Sequence, residues 1–245
     1  AYGFDGGQLQ EGAAFAYLGG PSGLSPTADW SAQSNQAEAY FGISVNSAGD
    51  VNGDGFADVV VGSYLYDDDQ LDEGGAFVYF GSAAGLSAAP GWSGASDQED
   101  SEYGISVSSA GDVNGDGYDD LLVGAQYYSD GESREGAAFL YFGSAIGLSP
   151  TADRVIQSDQ VNAYLGKSVS SAGDVNGDGF ADLVVGAWGY DGGVVDAGAA
   201  WVFHGSNVGP AANPDWIADS GQQSSRFGWK VASAGDVNGD GFSDL

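Results

Sequence analysis

The stretch GDVNGDGFADVVVG, Gly49 to Gly62, joins a glycine-rich acidic bend to an unbroken apolar run. Asp50, Asn52, Asp54 and Asp58 crowd into that bend. Two carboxylates about 4 Å apart repel by roughly 4 kcal/mol at an effective dielectric near 20, so three in one tight turn call for a counter-charge. Counting Asp50 as position 1, oxygens fall at positions 1 (Asp50), 3 (Asn52), 5 (Asp54), 7 (the carbonyl of Phe56) and 9 (Asp58). This is the alternate-residue wrapping that calcium loops use. Gly53 and Gly55 allow the φ values such a curl needs. Hard oxygens without His or Cys favour Ca²⁺ over zinc or copper. An EF-hand would place Glu at position 12, where this chain has Val61, and its flanks would be helices. Here the flanks read as strands, and Asp58 takes the place of the closing Glu. The metal-free alternative is a set of Asx turns that cap themselves with side-chain hydrogen bonds.

The bend returns as GDVNGDGYDD at Gly111, GDVNGDGFAD at Gly173 and GDVNGDGFSD at Gly235, at successive spacings of 62 residues. The further candidate ligands are therefore Asp112, Asn114, Asp116, Tyr118 and Asp120; Asp174, Asn176, Asp178, Phe180 and Asp182; and Asp236, Asn238, Asp240, Phe242 and Asp244. One Ca²⁺ per loop, up to four, is expected. Other columns keep the same phase: Phe15, Phe77, Phe139 and Trp201 form one, and Val45, Val107, Val169 and Val231 another. The phases run 1–48, 49–110, 111–172 and 173–234, with 235–245 continuing the pattern.

Within a unit, YFGISV (Tyr40 to Val45) alternates, which predicts a strand with Phe41, Ile43 and Val45 on one face. DVVVG (Asp58 to Gly62) predicts an interior strand covered on both faces. GAFVYFG (Gly75 to Gly81) predicts a third strand, and the Trp-bearing segment after it a weaker outer one. Four antiparallel strands per unit, with units stacked through apolar faces, make an all-β fold: a β-propeller of about 62-residue blades, four blade-equivalents in one propeller domain or part of one.

Composition agrees. Acidic residues number 35 against five basic ones, a formal net charge of −30, which repels nucleic acid and anionic membrane surfaces. No stretch is long and apolar enough for a membrane span, so neither nucleic-acid binding nor membrane insertion is expected. With no Cys, disulfides and thiolate metal sites are excluded. The chain has no Met, not even at position 1, which reads as a processed form or a piece of something longer. Both ends fall inside the same interior-strand position, so self-association through that split strand is an expectation.

FG of YFGISV, GDVNGDGFAD, VVVGSY and GGAFVYFG together resemble the FG-GAP repeat, whose Phe-Gly and Gly-Ala-Pro signatures flank a calcium loop in the integrin α-subunit propeller. The resemblance covers the chain in four phases. The third unit departs from it, with Leu165 before its Gly and Trp188 where the family often has Pro, and no unit has that Pro. Segments such as FGSAAGLSAAPGW are similar to bacterial extracellular FG-GAP proteins. The resemblance implies calcium in loops on one rim, an extracellular or cell-surface location, and adhesion or recognition of a protein or glycan.

His204, the only histidine, occupies the column of Phe80 and Phe142, which suits a strand residue better than a base. Glu99, Asp100 and Glu102 are the acids least shared among the units; a solvated loop outweighs a hydrolase pair. Trp30, Trp92 and Trp216 share a column with Arg154, for which inter-blade packing outweighs sugar stacking. The loop YDDDQLDEG, Tyr66 to Gly74, is a candidate second cation or ligand site, against a variable solvated loop. No convincing catalytic constellation emerges, so the chain is expected not to be an enzyme. A structural or assembly module, or a secreted carboxylate-dependent hydrolase, are the alternatives.

Overall fold

Glycine and β-branched residues alternate with turn signals along the whole chain, and the computed structural model, which describes residues 1–245, is built of strands alone. Three four-stranded antiparallel sheets follow one another: β5 (Ser44–Gly49), β6 (Asp58–Ser63), β7 (Gly75–Tyr79) and β8 (Trp92–Gly94); β9 (Tyr103–Gly111), β10 (Asp120–Ala125), β11 (Ala137–Tyr141) and β12 (Arg154–Gln157); β13 (Leu165–Gly173), β14 (Asp182–Ala187), β15 (Ala199–Phe203) and β16 (Trp216–Asp219). In each sheet the strands lie in chain order, and the register repeats, with Val61 opposite Phe77, Val123 opposite Phe139 and Val185 opposite Trp201. These sheets are propeller blades.

Before them, β1 (Ala13–Ala16) pairs with β4 (Trp30–Gln33), and the two-residue strands β2 (Gly19–Gly20) and β3 (Gly23–Leu24) pair between them. By phase, β1 and β4 match β7 and β8. At the other end, 227–245 supply a first-strand segment and an acidic loop, closed by a bridge between Gly235 and Asp244.

The second strands carry the burial that their unbroken apolar runs require. Every residue of β10 and β14 is buried, and β6 is buried except at Val59. The core lies between blades rather than within one, because a flat sheet can bury its faces only against its neighbours. One cluster joins Val60, Val78 and Trp92 to Tyr103, Leu121 and Phe139 of the next blade. The next joins Leu122, Leu140 and Ile156 to Leu165, Leu183 and Trp201. First strands pack on first strands, β5 on β9 and β9 on β13, so they line the inside of the arc. There the backbones almost touch. A Cβ on Gly62 would sit 2.0 Å from the Gly104 carbonyl oxygen, and on Gly124 or Gly186 1.9 Å from that of Gly166 or Gly228. This contact explains why the last residue of VVVG is glycine; the Gly of FG answers to a positive φ and to a third-strand carbonyl, that of Gly75 lying 2.3 Å from a Cβ on Gly104.

The first strand departs from simple alternation. Gly42 has φ +84°, and β5 begins only at Ser44. Phe41 is buried while Val45 is exposed, so the two do not share a covered face; the equivalent Val107 and Val169 are buried because each has a blade on both sides. Register shifts at both ends of β9 and β13 interrupt the period of two that the alternation assumed.

Candidate calcium-binding rim

Each first strand runs into an acidic loop and each second strand runs out of it, so all four loops lie at one end of the blades. Inside a loop the side chains at positions 1, 3 and 5 turn onto the curl's own N–H groups. Asp50 accepts hydrogen bonds from Asp54 N (3.1 Å) and Gly55 N (2.9 Å), Asn52 Oδ1 from Asp54 N (3.0 Å), and Asp54 from Phe56 N (2.9 Å). The pattern recurs around Asp112, Asp174 and Asp236. In those three loops the Asn at position 3 also donates to the Asp at position 5, at 2.8–3.0 Å.

Position 9 behaves differently. Asp58 is fully buried, and its two oxygens accept from Val51 N (3.1 Å) and from Gly81 N (2.8 Å) at the end of the third strand. Asp120 does the same with Val113 and Gly143, and Asp182 with Val175 and Gly205. This aspartate ties the loop to the hairpin behind it. Burial pushes its carboxyl upward, to about 7 for Asp120; the two N–H groups oppose the shift, and the carboxylates at positions 5 and 1 add to it. Asp58 and Asp182 shift in the same direction, again chiefly through burial.

The loops are also laced to one another. Asp119 N donates to the Asp50 carbonyl, Ala181 N to that of Asp112 and Ser243 N to that of Asp174. The aromatic residue at position 7 covers the preceding loop: a Cβ on Gly53 would lie 2.5 Å from the Tyr118 ring, whereas one on Gly55 would meet nothing. Gly53 thus answers both to φ (+70°) and to contact, Gly55 to φ alone (+87°).

No three acidic or histidine side chains are gathered closely enough here to form a metal cage. The donor chemistry nevertheless suits a hard dication. Each loop presents only oxygens; in the Asp50 loop each carboxylate oxygen takes at most one hydrogen bond and keeps a further acceptor site, whereas Oδ1 of Asp112, Asp174 and Asp236 already takes two.

The loop Tyr66 to Gly74 is organised by a residue that the reading of the sequence passed over. Glu73 is fully buried, and its Oε1 accepts from Asp68, Asp69 and Gln70 N–H groups at 2.7–3.0 Å. Glu135 repeats this with Asp130 and Glu132, and Glu11 with Gly7. The column Glu11, Glu73, Glu135, broken by Ala197, was the signal. Trp30 and Trp92 donate Nε1–H to the carbonyls of Ser87 and Ser149 in the following blade, each at 2.9 Å, and meet Tyr79 and Tyr141 edge-on; they pack between blades. Trp216 is exposed. His204 sits 3.8 Å from Asp215, and it also lies near enough to the buried Asp182 to favour that carboxylate's charge. Glu99 and Asp100 are exposed, while Glu102 is half-buried and accepts from Gln126 Nε2.

Blades of this register, with an acidic loop between first and second strands, define a repeat propeller. A model of the FG-GAP repeat matches residues 41–80, 103–141 and 166–203, one segment in each complete blade. The chain carries three FG-GAP repeats and is integrin-like. Integrin alpha-5 of Xenopus laevis is 32% identical over 164 residues, 64% of this chain. Integrin alpha-IIb of Mus musculus is 35% identical over 161 residues, 63% of the chain, and integrin alpha-PS2 of Drosophila melanogaster 34% over 156 residues, 58% of the chain. The chain spans 15%, 15% and 11% of the length of these three relatives.

Proposed function

We propose that this protein is a calcium-stabilised, extracellular or cell-surface β-propeller for adhesion or recognition of a protein or glycan. The observation that carries the reading is the fourfold acidic loop, in which three carboxylates share one curl and, in the three complete blades, one of them is buried against the sheet. Asp50, Asn52, Asp54, the Phe56 carbonyl and Asp58, with their equivalents in the other loops, would hold one Ca²⁺ per loop. The ion would supply the missing positive charge and fasten each hairpin to its neighbours. Similarity to integrin α subunits supports the adhesion role, and recognition is assigned to the strand ends opposite the rim, where the repeat is least regular.

Isothermal titration of Ca²⁺ into metal-stripped protein should show uptake approaching four ions. Immobilised protein should then retain extracellular-matrix proteins or glycans in Ca²⁺. No uptake removes the ion, and no retention of either class removes the recognition role.

A further inference from the structure

We propose that the strand ends opposite the acidic rim carry a cationic patch, braced by aromatic rings, that takes the carboxylates of a short acidic peptide segment on a partner protein. The inference rests on the recognition role proposed above and specifies its ligand.

The patch is made of departures from the repeat. Lys167 stands where other units have Ile43, Ile105 and Trp229; Arg226 where they have Tyr40, Glu102 and Tyr164; Lys230 where they have Ser44, Ser106 and Ser168. Trp188 and Trp229 are likewise unshared. Rings from successive units form a ribbon: Tyr127 meets Tyr164 at 5.7 Å, Tyr164 stacks on Trp188 at 4.3 Å with planes 4° apart, and Trp188 meets Trp229 at 5.2 Å. The Arg226 guanidinium lies 5.3 Å from the Trp188 ring and 5.7 Å from that of Trp229, the Lys167 ammonium 5.2 Å from Trp229, and Arg134 5.0 Å from Tyr127.

None of the cations is held in a close ion pair, although Glu102 lies near enough to Lys167 and Arg134 to attract both. In a chain with 35 acidic residues, no Lys or Arg forms an ion pair; the single pair joins His204 to Asp215. A guanidinium stacked on an indole keeps its in-plane N–H groups free for a carboxylate, which it matches in a two-pronged bond. Half-burial of Lys167 holds its ammonium below the usual range, opposed by Glu102 and reinforced by Lys230. Against a net charge of −30, a local positive window focuses anions onto itself.

Two features choose the ligand. Tyr164 and Arg226 already cover Trp188, which leaves little of that ring to a sugar. Beside Arg134 a cleft of about 530 Å³ is lined by Glu99, Asp100 and Glu102, so anions are admitted only over Lys167, Arg226 and Lys230. Three cations suit one or two carboxylates. A long polyanion would run onto the negative surface.

The test uses the ¹⁵N-labelled protein in Ca²⁺ and two probes, Ac-Gly-Ser-Asp-Glu-Ser-Gly-NH₂ and its Asn-Gln counterpart. The indole N–H signals of Trp188 and Trp229, assigned by Trp→Phe variants, should move with the acidic peptide alone, with a Kd of about 1 mM at low salt. Arg226→Gln should weaken binding about tenfold, Lys167→Arg should retain it, and Arg154→Gln, outside the patch, should leave it unchanged. The assignment is overturned if neither indole responds up to 10-fold above that concentration, if both peptides act alike, if Arg154→Gln matches Arg226→Gln, or if a tetrauronate moves the signals where the acidic peptide does not. If wild-type protein is retained on matrix proteins and Arg226→Gln is retained equally, the patch fails while the recognition role stands. A wild type that is not retained at all sinks that role instead.

Discussion

The two ends of the blades obey opposite rules. At the acidic rim four loops repeat almost letter for letter, and hydrogen bonds recur from one loop to the next within a few tenths of an ångström. At the other end the same columns hold Tyr, Glu, Gln, Ile, Lys, Arg and Trp in turn. A β9-length strand of nine residues separates them by roughly 30 Å. Repetition marks a structural requirement that every blade must meet alone, namely closing a hairpin that carries excess negative charge. Variation marks a surface that no blade needs for its own folding, where one asymmetric ligand site can be assembled from several units.

Calcium removal should separate the ends most sharply. If the rim is held by ions, EDTA should lower the melting temperature on the order of 10 °C or more, followed by calorimetry, because loss of a ligand bound only by the folded state removes its whole contribution. An unchanged melt would leave the rim to its hydrogen bonds alone.

The anchor at position 9 comes next in size. Asp120→Ala strands the buried N–H groups of Val113 and Gly143, an expected loss of about 2–5 kcal/mol in urea unfolding. Asp120→Asn, which can still accept one of these bonds, should lose less. Equal losses would mean that the carboxylate contributes through charge rather than as an acceptor.

Within one loop, Gly115→Ala should cost more than Gly117→Ala: both have positive φ, but only the first places a Cβ 2.5 Å from the Phe180 ring. Strain at φ alone is worth about 1–3 kcal/mol, so the excess measures the lacing between loops. Trp92→Phe removes the bond to the Ser149 carbonyl across the blade seam and should cost about 1 kcal/mol. Smallest of all, Arg226→Gln at the far end should leave the melt within about 0.5 kcal/mol, because an exposed cation without an ion pair carries little stability. A large loss there would make the patch structural and erase the contrast between the ends.

Much of this was legible in the letters. The bend at Gly49, its return at 62-residue intervals and the runs VVV, LLV and LVV identify loops and interior strands, because a tight curl and a doubly covered strand each need particular residues next to one another. The role of Asp58 was half legible: its spacing marks it as a ligand, while its bonds to Val51 and Gly81 reach a strand 23 residues away. Glu73 was missed because the N–H groups that donate to it lie inside a loop that reads as solvated. Alternation placed Val45 on one face with Phe41, yet Val45 is exposed while its equivalents Val107 and Val169, with a blade on both sides, are buried.

By itself, then, the sequence determined the blade: its period, its four strands, its acidic loop and the all-β class, since each depends on residues close in the chain. Only the tertiary structure decided what blades do together. It set which glycines face a neighbouring carbonyl, which aspartate becomes an anchor, and that Tyr127, Trp188 and Trp229, some hundred residues apart end to end, form one braced ribbon beneath cations. Those contacts depend on how sheets stack about an axis, and periodicity along one strand carries no information about the blade beside it.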